Sequence, residues 1–127
     1  MATMTPIHSD NAPPAVGPYS QAIVANGMVF CSGQGGIDPV TRKVVEGGVQ
    51  AQTTQVFNNL RAVLEAAGSG LDKVVKTTVF LKDMGDFAAM NAVYASFFPG
   101  TPPARSTVEA TAPVAGMLVE IEVIALV

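Results

Sequence analysis

Seven Lys and Arg residues serve the whole 127-residue chain, and one of them, Arg105, stands where a proline-stiffened loop, Pro102-Pro103-Ala104, turns into a strand. A guanidinium there presents five donors in a rigid fork that matches the edge of a carboxylate or phosphate. Loop-to-strand junctions are where a fixed scaffold commonly displays working groups. A surface arginine paired with Glu109 on the same strand is the competing reading, and this stretch alone leaves both open. The other groups with chemical potential are Glu120 and Glu122 in the last apolar run, Tyr19, Ser32, and the backbone of Gly33. Together they suit a hydrolytic or binding site without a cofactor. Arg105 would clamp an anion, Glu120 would act as a base, and Tyr19, Ser32 and Gly33 would supply polar contacts. Glu120 could equally form a cross-strand salt bridge, and Tyr19 a core phenol with its hydroxyl satisfied.

Several other chemistries lack their parts. One His and one Cys rule out the usual metal-ligand spacings. His8 lies in an irregular arm beside Pro6, so neither a Cys–His pair nor a serine triad has a convincing base. Cys31, in mid-strand, reads as a small buried hydrophobe. Ser32-Gly33-Gln34-Gly35-Gly36 is glycine-rich but matches neither a dinucleotide fingerprint nor a phosphate-binding loop. It reads as a loop needing unusual backbone angles, or one that a small ligand approaches closely.

The elements that must position these groups follow from periodicity. Residues 1–18, with Pro6, Pro13, Pro14 and Pro18, predict an extended arm. Asn26-Gly27 between residues 20–26 and Met28–Ser32 is a hairpin signal, since both turn positions favour positive φ. Residues 33–48 read as a loop with a short strand at 43–46. Val49, Val56, Leu60, Val63, Leu64 and Ala67 share a helical face that Gly68 ends. The β-branched run 73–82 predicts a strand. Asp86 then caps a second helix, with Phe87, Met90, Val93, Tyr94 and Phe97 inward. Strands over 105–110 and 118–126 flank a turn at Pro113–Gly116. The expected fold class is α+β, a single domain over 1–127, with a mixed sheet and two helices packed on one face.

In the last strand Val119, Ile121, Val123 and Ala125 point one way, and Leu118, Glu120, Glu122, Ile124 and Leu126 the other. Two helices cover only one sheet face, so the second, largely apolar face predicts self-association with Glu120 or Glu122 at the boundary. Composition agrees: 49% of residues are hydrophobic and only 13% charged, too few for an all-polar skin. A net charge of −3 with scattered basic residues argues against nucleic acid as a partner. No membrane-length apolar run and no signal pattern occur, so the expectation is a cytoplasmic protein that does not engage a membrane.

Gly17-Pro18-Tyr19-Ser20-Gln21-Ala22, Ser32-Gly33-Gln34, Asp38-Pro39, Val75-Lys76-Thr77-Thr78-Val79, Asn91 with Tyr94, Pro103-Ala104-Arg105-Ser106 and Val119-Glu120-Ile121-Glu122 occur in one order. In these the chain resembles the RidA/YjgF family of reactive-intermediate deaminases over nearly its whole length. The resemblance implies a chorismate-mutase-like fold, a homotrimer, and clefts between subunits. It implies hydrolysis of 2-imino or enamine acids, such as 2-aminoacrylate, to 2-oxo acids and ammonia, with no cofactor or metal. Arg105 would hold the substrate carboxylate, Glu120 would position or deprotonate water, and Tyr19, Ser32, Gly33 and Thr107 would line the cleft. Asn91 and Tyr94 match motif positions without an assigned role. A non-catalytic trimeric binding protein for small 2-oxo or imino acids is the alternative, and an endoribonuclease a third. Three departures stand out: Thr107 where many members have cysteine, Gly35-Gly36 for an apolar-Pro pair, which should loosen that loop, and an altered 111–117 loop.

Overall fold

The computed structural model describes residues 3–127; the first two residues of the expected arm lie outside that range. Six strands form one mixed sheet: β1 (Thr5–Ile7), β2 (Ala22–Ala25), β3 (Met28–Gly35), β4 (Val74–Leu81), β5 (Ala104–Glu109) and β6 (Val119–Leu126). Their order across the sheet is β1-β2-β3-β6-β4-β5, antiparallel except for the parallel β4–β5 pair. Two helices, α1 (Gly48–Ala66) and α2 (Phe87–Phe97), cover one face. The second is the crossover that a parallel β4–β5 pair requires. The expected α+β sandwich is what the chain forms.

Local chemistry explains the boundaries. Asn26 and Gly27 take positive φ, 51° and 74°, in the β2–β3 hairpin, the conformation an Asn-Gly turn supplies at least cost. Gly47, at φ 113°, precedes α1, and Gly68, at φ 79°, follows it. The core lies between helices and sheet: Val56, Phe57, Leu60, Val63 and Leu64 meet Val29, Val79, Leu81, Val119, Ile121 and Val123. The period-2 alternation of β6 is realised, with Val119, Ile121, Val123 and Ala125 buried and Glu120, Glu122, Ile124 and Leu126 on the other face.

Five expectations need correction. The arm contains a strand, Thr5–Ile7, hydrogen-bonded to β2; three residues around a proline carry no strand pattern, and an edge tolerates proline. The third strand continues to Gly35 past a bulge between Cys31 and Gln34, where Gly and Gln residues had suggested a loop. The strand expected at 43–46 is reduced to one bridge, Ile37 to Val44. Phe87 is not a core residue but 37% exposed. Asp86 stands at the N-cap without a side-chain bond; Asp83 caps the preceding 3-10 turn instead, accepting from the Gly85 N–H at 2.7 Å.

Candidate active site in two halves

Arg105 is the second residue of the sheet-edge strand β5, beside Thr77 of β4, on the face that carries the helices. Its Nη1 donates to Asn91 Oδ1 at 2.8 Å. The guanidinium lies over the Tyr94 ring, 4.7 Å from its centroid, and 5.5 Å from that of Phe87. A cation over a ring face is held electrostatically as well as sterically. Tyr94 is itself fixed: its hydroxyl shares a 2.8 Å hydrogen bond with Thr77 Oγ1, and its ring meets Phe57 edge-on. Burial pushes the Tyr94 hydroxyl pKa up, against the opposing pull of the Thr77 hydrogen bond and the Arg105 charge.

No carboxylate neutralises this guanidinium among the described residues, where the sole ion pair joins His8 to Asp10. Glu109, the candidate partner, accepts from the Met84 N–H at 3.0 Å instead. The surface ion-pair reading of Arg105 is thereby excluded within the protomer. Arg105 borders a concavity of about 490 Å³ with Asn91, Tyr94, Phe98, Pro102 and Pro103. A half-buried cation with a neutral partner and free donors at a cavity wall is suited to receiving an anion.

Glu120 lies on the opposite face of the sheet. It shares a concavity of about 250 Å³ with Tyr19, Gly33, Arg42, Pro14 and Met117. A Cβ on Gly33 would fall 2.7 Å from Glu120 Oε2, so only glycine lets the carboxylate lie against the β3 backbone. Burial raises the Glu120 pKa above the usual carboxylate range, and the Glu122 charge raises it further. Arg105 of the same chain, on the far face, does not offset this rise. Tyr19 is no core phenol: it is 49% exposed, and its hydroxyl accepts from the Val16 N–H at 3.3 Å.

The two remaining candidates sit apart. Ser32 Oγ donates to the Ser20 carbonyl at 2.7 Å, which braces the loop carrying Tyr19 rather than facing the Glu120 concavity. Thr107 does not line the Arg105 concavity; its Oγ1 is closed off from solvent and has no hydrogen-bond partner. Cys31 is buried, its thiol pushed up to about 12 by desolvation, the small hydrophobe expected.

Buried amides hold the Glu120 half together. Gln21 accepts from the Ser9 N–H at 2.6 Å and donates to the Pro13 carbonyl at 2.8 Å, fixing the arm. Asn59 donates to the Gly35 and Ile37 carbonyls at 3.2 and 2.8 Å. Gln52 donates to the Gly116 carbonyl at 3.1 Å and accepts from the Leu118 N–H at 2.8 Å, tying the 111–117 loop to α1. The expected loosening at Gly35-Gly36 does not occur. Gly35 packs on Met117, and a Cβ at Gly36 would lie 2.7 Å from Gln52 Cα, so these glycines permit close packing.

Reading the residues had missed Asn91 as the partner of Arg105, and Arg42 entirely. For Asn91 a signal existed: it precedes Tyr94 by three residues, about one helical turn, in a helix whose other polar side chain is Ser96.

Comparison with known proteins agrees with this architecture. Residues 9–127 match the family described as endoribonuclease L-PSP. The 2-iminobutanoate/2-iminopropanoate deaminase of Mus musculus is 44% identical over 119 residues, 94% of this chain and 88% of that protein. The crystal structure of RidA from an Antarctic Psychrobacter has a TM-score of 0.92 at 45% identity, covering 97% of this chain and 99% of that one. Escherichia coli TdcF with bound serine has a TM-score of 0.91 at 37% identity, covering 97% and 98%. With a family match over nearly all of its length and relatives this similar in both sequence and fold, the chain belongs to the RidA/YjgF family.

Proposed function

We propose that this protein is a cofactor-free deaminase that hydrolyses small 2-imino acids, and their enamine tautomers, to 2-oxo acids and ammonia. The observation that carries this reading is the Arg105 fork, oriented by Asn91 and the Tyr94 ring yet lacking an anionic partner. The deaminase name of the mouse relative and the serine bound in the TdcF structure support a small amino-acid-like substrate. In this reading the protein forms a chorismate-mutase-like homotrimer in the cytoplasm. The Arg105 half of one copy then faces the Glu120 half of the next. The uncovered sheet face supports such assembly: Phe30, Val108 and Leu126 on it are 41%, 43% and 50% exposed.

The chemistry asks little beyond orientation and one base. An enamine substrate first takes a proton at its β-carbon and loses one from nitrogen, becoming the imine. Arg105 grips the carboxylate by two hydrogen bonds. Glu120 takes a proton from water while the oxygen adds to the imine carbon, the C=N π pair moves to nitrogen, and Glu120 passes the proton on to that nitrogen. Through Glu120 the hydroxyl proton of the resulting carbinolamine passes to the amine nitrogen, the C–N pair leaves with that nitrogen as ammonia, and an oxygen lone pair closes the carbonyl of the 2-oxo acid. Gly33 leaves room for the Glu120 carboxylate, and Tyr19 closes the side of the cleft.

The test is ammonia release from 2-iminopropanoate, generated from alanine by an amino-acid oxidase, alongside the native mass. Charge-assisted hydrogen bonds contribute about 1.5–3 kcal/mol each, so Arg105→Ala should lower kcat/KM by about a hundredfold or more. Arg105→Lys should be similarly impaired, since an ammonium cannot reproduce the fork. Near-normal hydrolysis by Arg105→Lys would remove Arg105 from this role. Tight 2-oxo acid binding without turnover in the wild type would turn the protein into a binding protein.

A further inference from the structure

Arg42 has a backbone conformation that its side chain does not favour. Its φ is 64°, left-handed, where glycine carries no penalty and a bulky residue is uncommon. The turn imposes this angle. Asp38 Oδ1 accepts from the Val40 and Thr41 N–H groups at 2.7 and 3.2 Å. The Arg42 N–H reaches the Asp38 carbonyl at 2.9 Å, and the Asp38 N–H reaches the Lys43 carbonyl at 2.9 Å. Backbone strain of this kind is characteristic of residues whose side chains serve a site.

The side chain borders the Glu120 concavity, together with Tyr19, Gly33 and Met117. Its Nε donates to the Pro39 carbonyl at 3.1 Å, which anchors the stem and leaves the terminal amino groups free. No ion pair engages it among the described residues, where only His8 and Asp10 pair. Arg42 thus offers a second uncompensated guanidinium, in the half of the site opposite to that of Arg105.

We infer that Arg42 is a specificity-determining residue that selects 2-imino acids bearing a second, distal carboxylate, the imines of acidic amino acids. This rests on the proposed deaminase reading. With the α-carboxylate on Arg105 of an adjacent copy and the imine carbon beside Glu120, the substrate side chain extends along the concavity that Arg42 borders. A distal carboxylate meets the free edge of its guanidinium, whereas a methyl terminus leaves that edge to water.

Binding of 2-oxoglutarate and 2-oxopentanoate, measured by calorimetry on the native assembly, tests this without turnover. The two acids have equal chain length and differ in a terminal carboxylate against a methyl group. The wild type should prefer 2-oxoglutarate at least tenfold, and Arg42→Gly should abolish most of that preference. Glycine suits the turn, so the variant's melting temperature should not fall. Arg42→Lys, which keeps a charge without the fork, should retain part of the preference. Arg105→Ala should weaken both ligands. A wild type that favours 2-oxopentanoate, or an Arg42→Gly protein with undiminished preference, overturns the inference and leaves the deaminase reading intact. Failure of the wild type to release ammonia from any imine defeats the deaminase reading instead.

Discussion

At the scale of single residues, the site depends on how each polar group is held. Asn91 is the sole hydrogen-bond partner of the Arg105 guanidinium among the described residues, and a hydrogen bond to a charged group is worth about 1.5–3 kcal/mol. Asn91→Ala should therefore raise KM about tenfold, with a smaller change in kcat, because the guanidinium keeps its ring support but loses its direction. Steady-state kinetics with 2-iminopropanoate checks this. Glu120 has a pKa raised first by burial and then by Glu122. Only its carboxylate form can accept a proton, so kcat should fall as acid protonates Glu120, and Arg105→Ala, which removes the opposing cation of the next copy, should move that acid limb upward. Stability runs the other way. In the folded state the charged form is disfavoured, so the group destabilises the fold above its raised pKa and ceases to do so below the unfolded value. Glu120→Gln should be inactive yet melt higher than the wild type at pH 7, a difference that shrinks as the pH falls toward 4. Thr107 Oγ1 is a closed-off hydroxyl without a partner, a defect worth about 1–3 kcal/mol. Thr107→Val should raise the melting temperature; a fall would mean that the hydroxyl contributes to stability.

At the scale of elements, the glycine-rich stretch after Ser32 is a packing device. Gly33 admits the Glu120 carboxylate, Gly35 admits Met117, and Gly36 lies against the α1 backbone at Gln52. A methyl at position 36 would have to move a helix rather than a side chain. Gly36→Ala should cost about 1–3 kcal/mol and disturb the Gln52 bonds that hold the 111–117 loop. Chemical denaturation and exchange of the Leu118 amide would both register it. The helical period of 49–67 and the alternation of 118–126 were readable because each element buries one face. The strand at Thr5–Ile7 was not readable, since pairing with β2, rather than any pattern of its own, makes it a strand. The extension of β3 past Ser32 was also hidden: a bulge breaks the alternation that reveals strands.

At the scale of the whole molecule, the sheet has two unlike faces, and the candidate site is divided between them. Arg105, Asn91 and Tyr94 stand with the helices; Glu120, Tyr19 and Gly33 stand with the uncovered face. A charge placed on that face, as in Phe30→Asp, should leave the secondary structure intact but yield a monomer. Its imine hydrolysis should fall at least a hundredfold, although position 30 borders neither the Arg105 nor the Glu120 concavity. Native mass and circular dichroism, read beside activity, distinguish this from unfolding. A monomer with full activity would mean that one copy contains a complete site.

Composition and periodicity alone determined the layers: one sheet, two helices on one side, and a second apolar face interrupted by Glu120 and Glu122. Residue types and their spacing also singled out Arg105 and Glu120, because so few charged groups are present and each stands out. Their separation was decided only in three dimensions. The parallel register that sets Arg105 beside Thr77 and the bulge that sets Gly33 against Glu120 arise from contacts between distant segments. Period and propensity describe how a segment faces its own neighbours, and carry no information about which strand lies next to which.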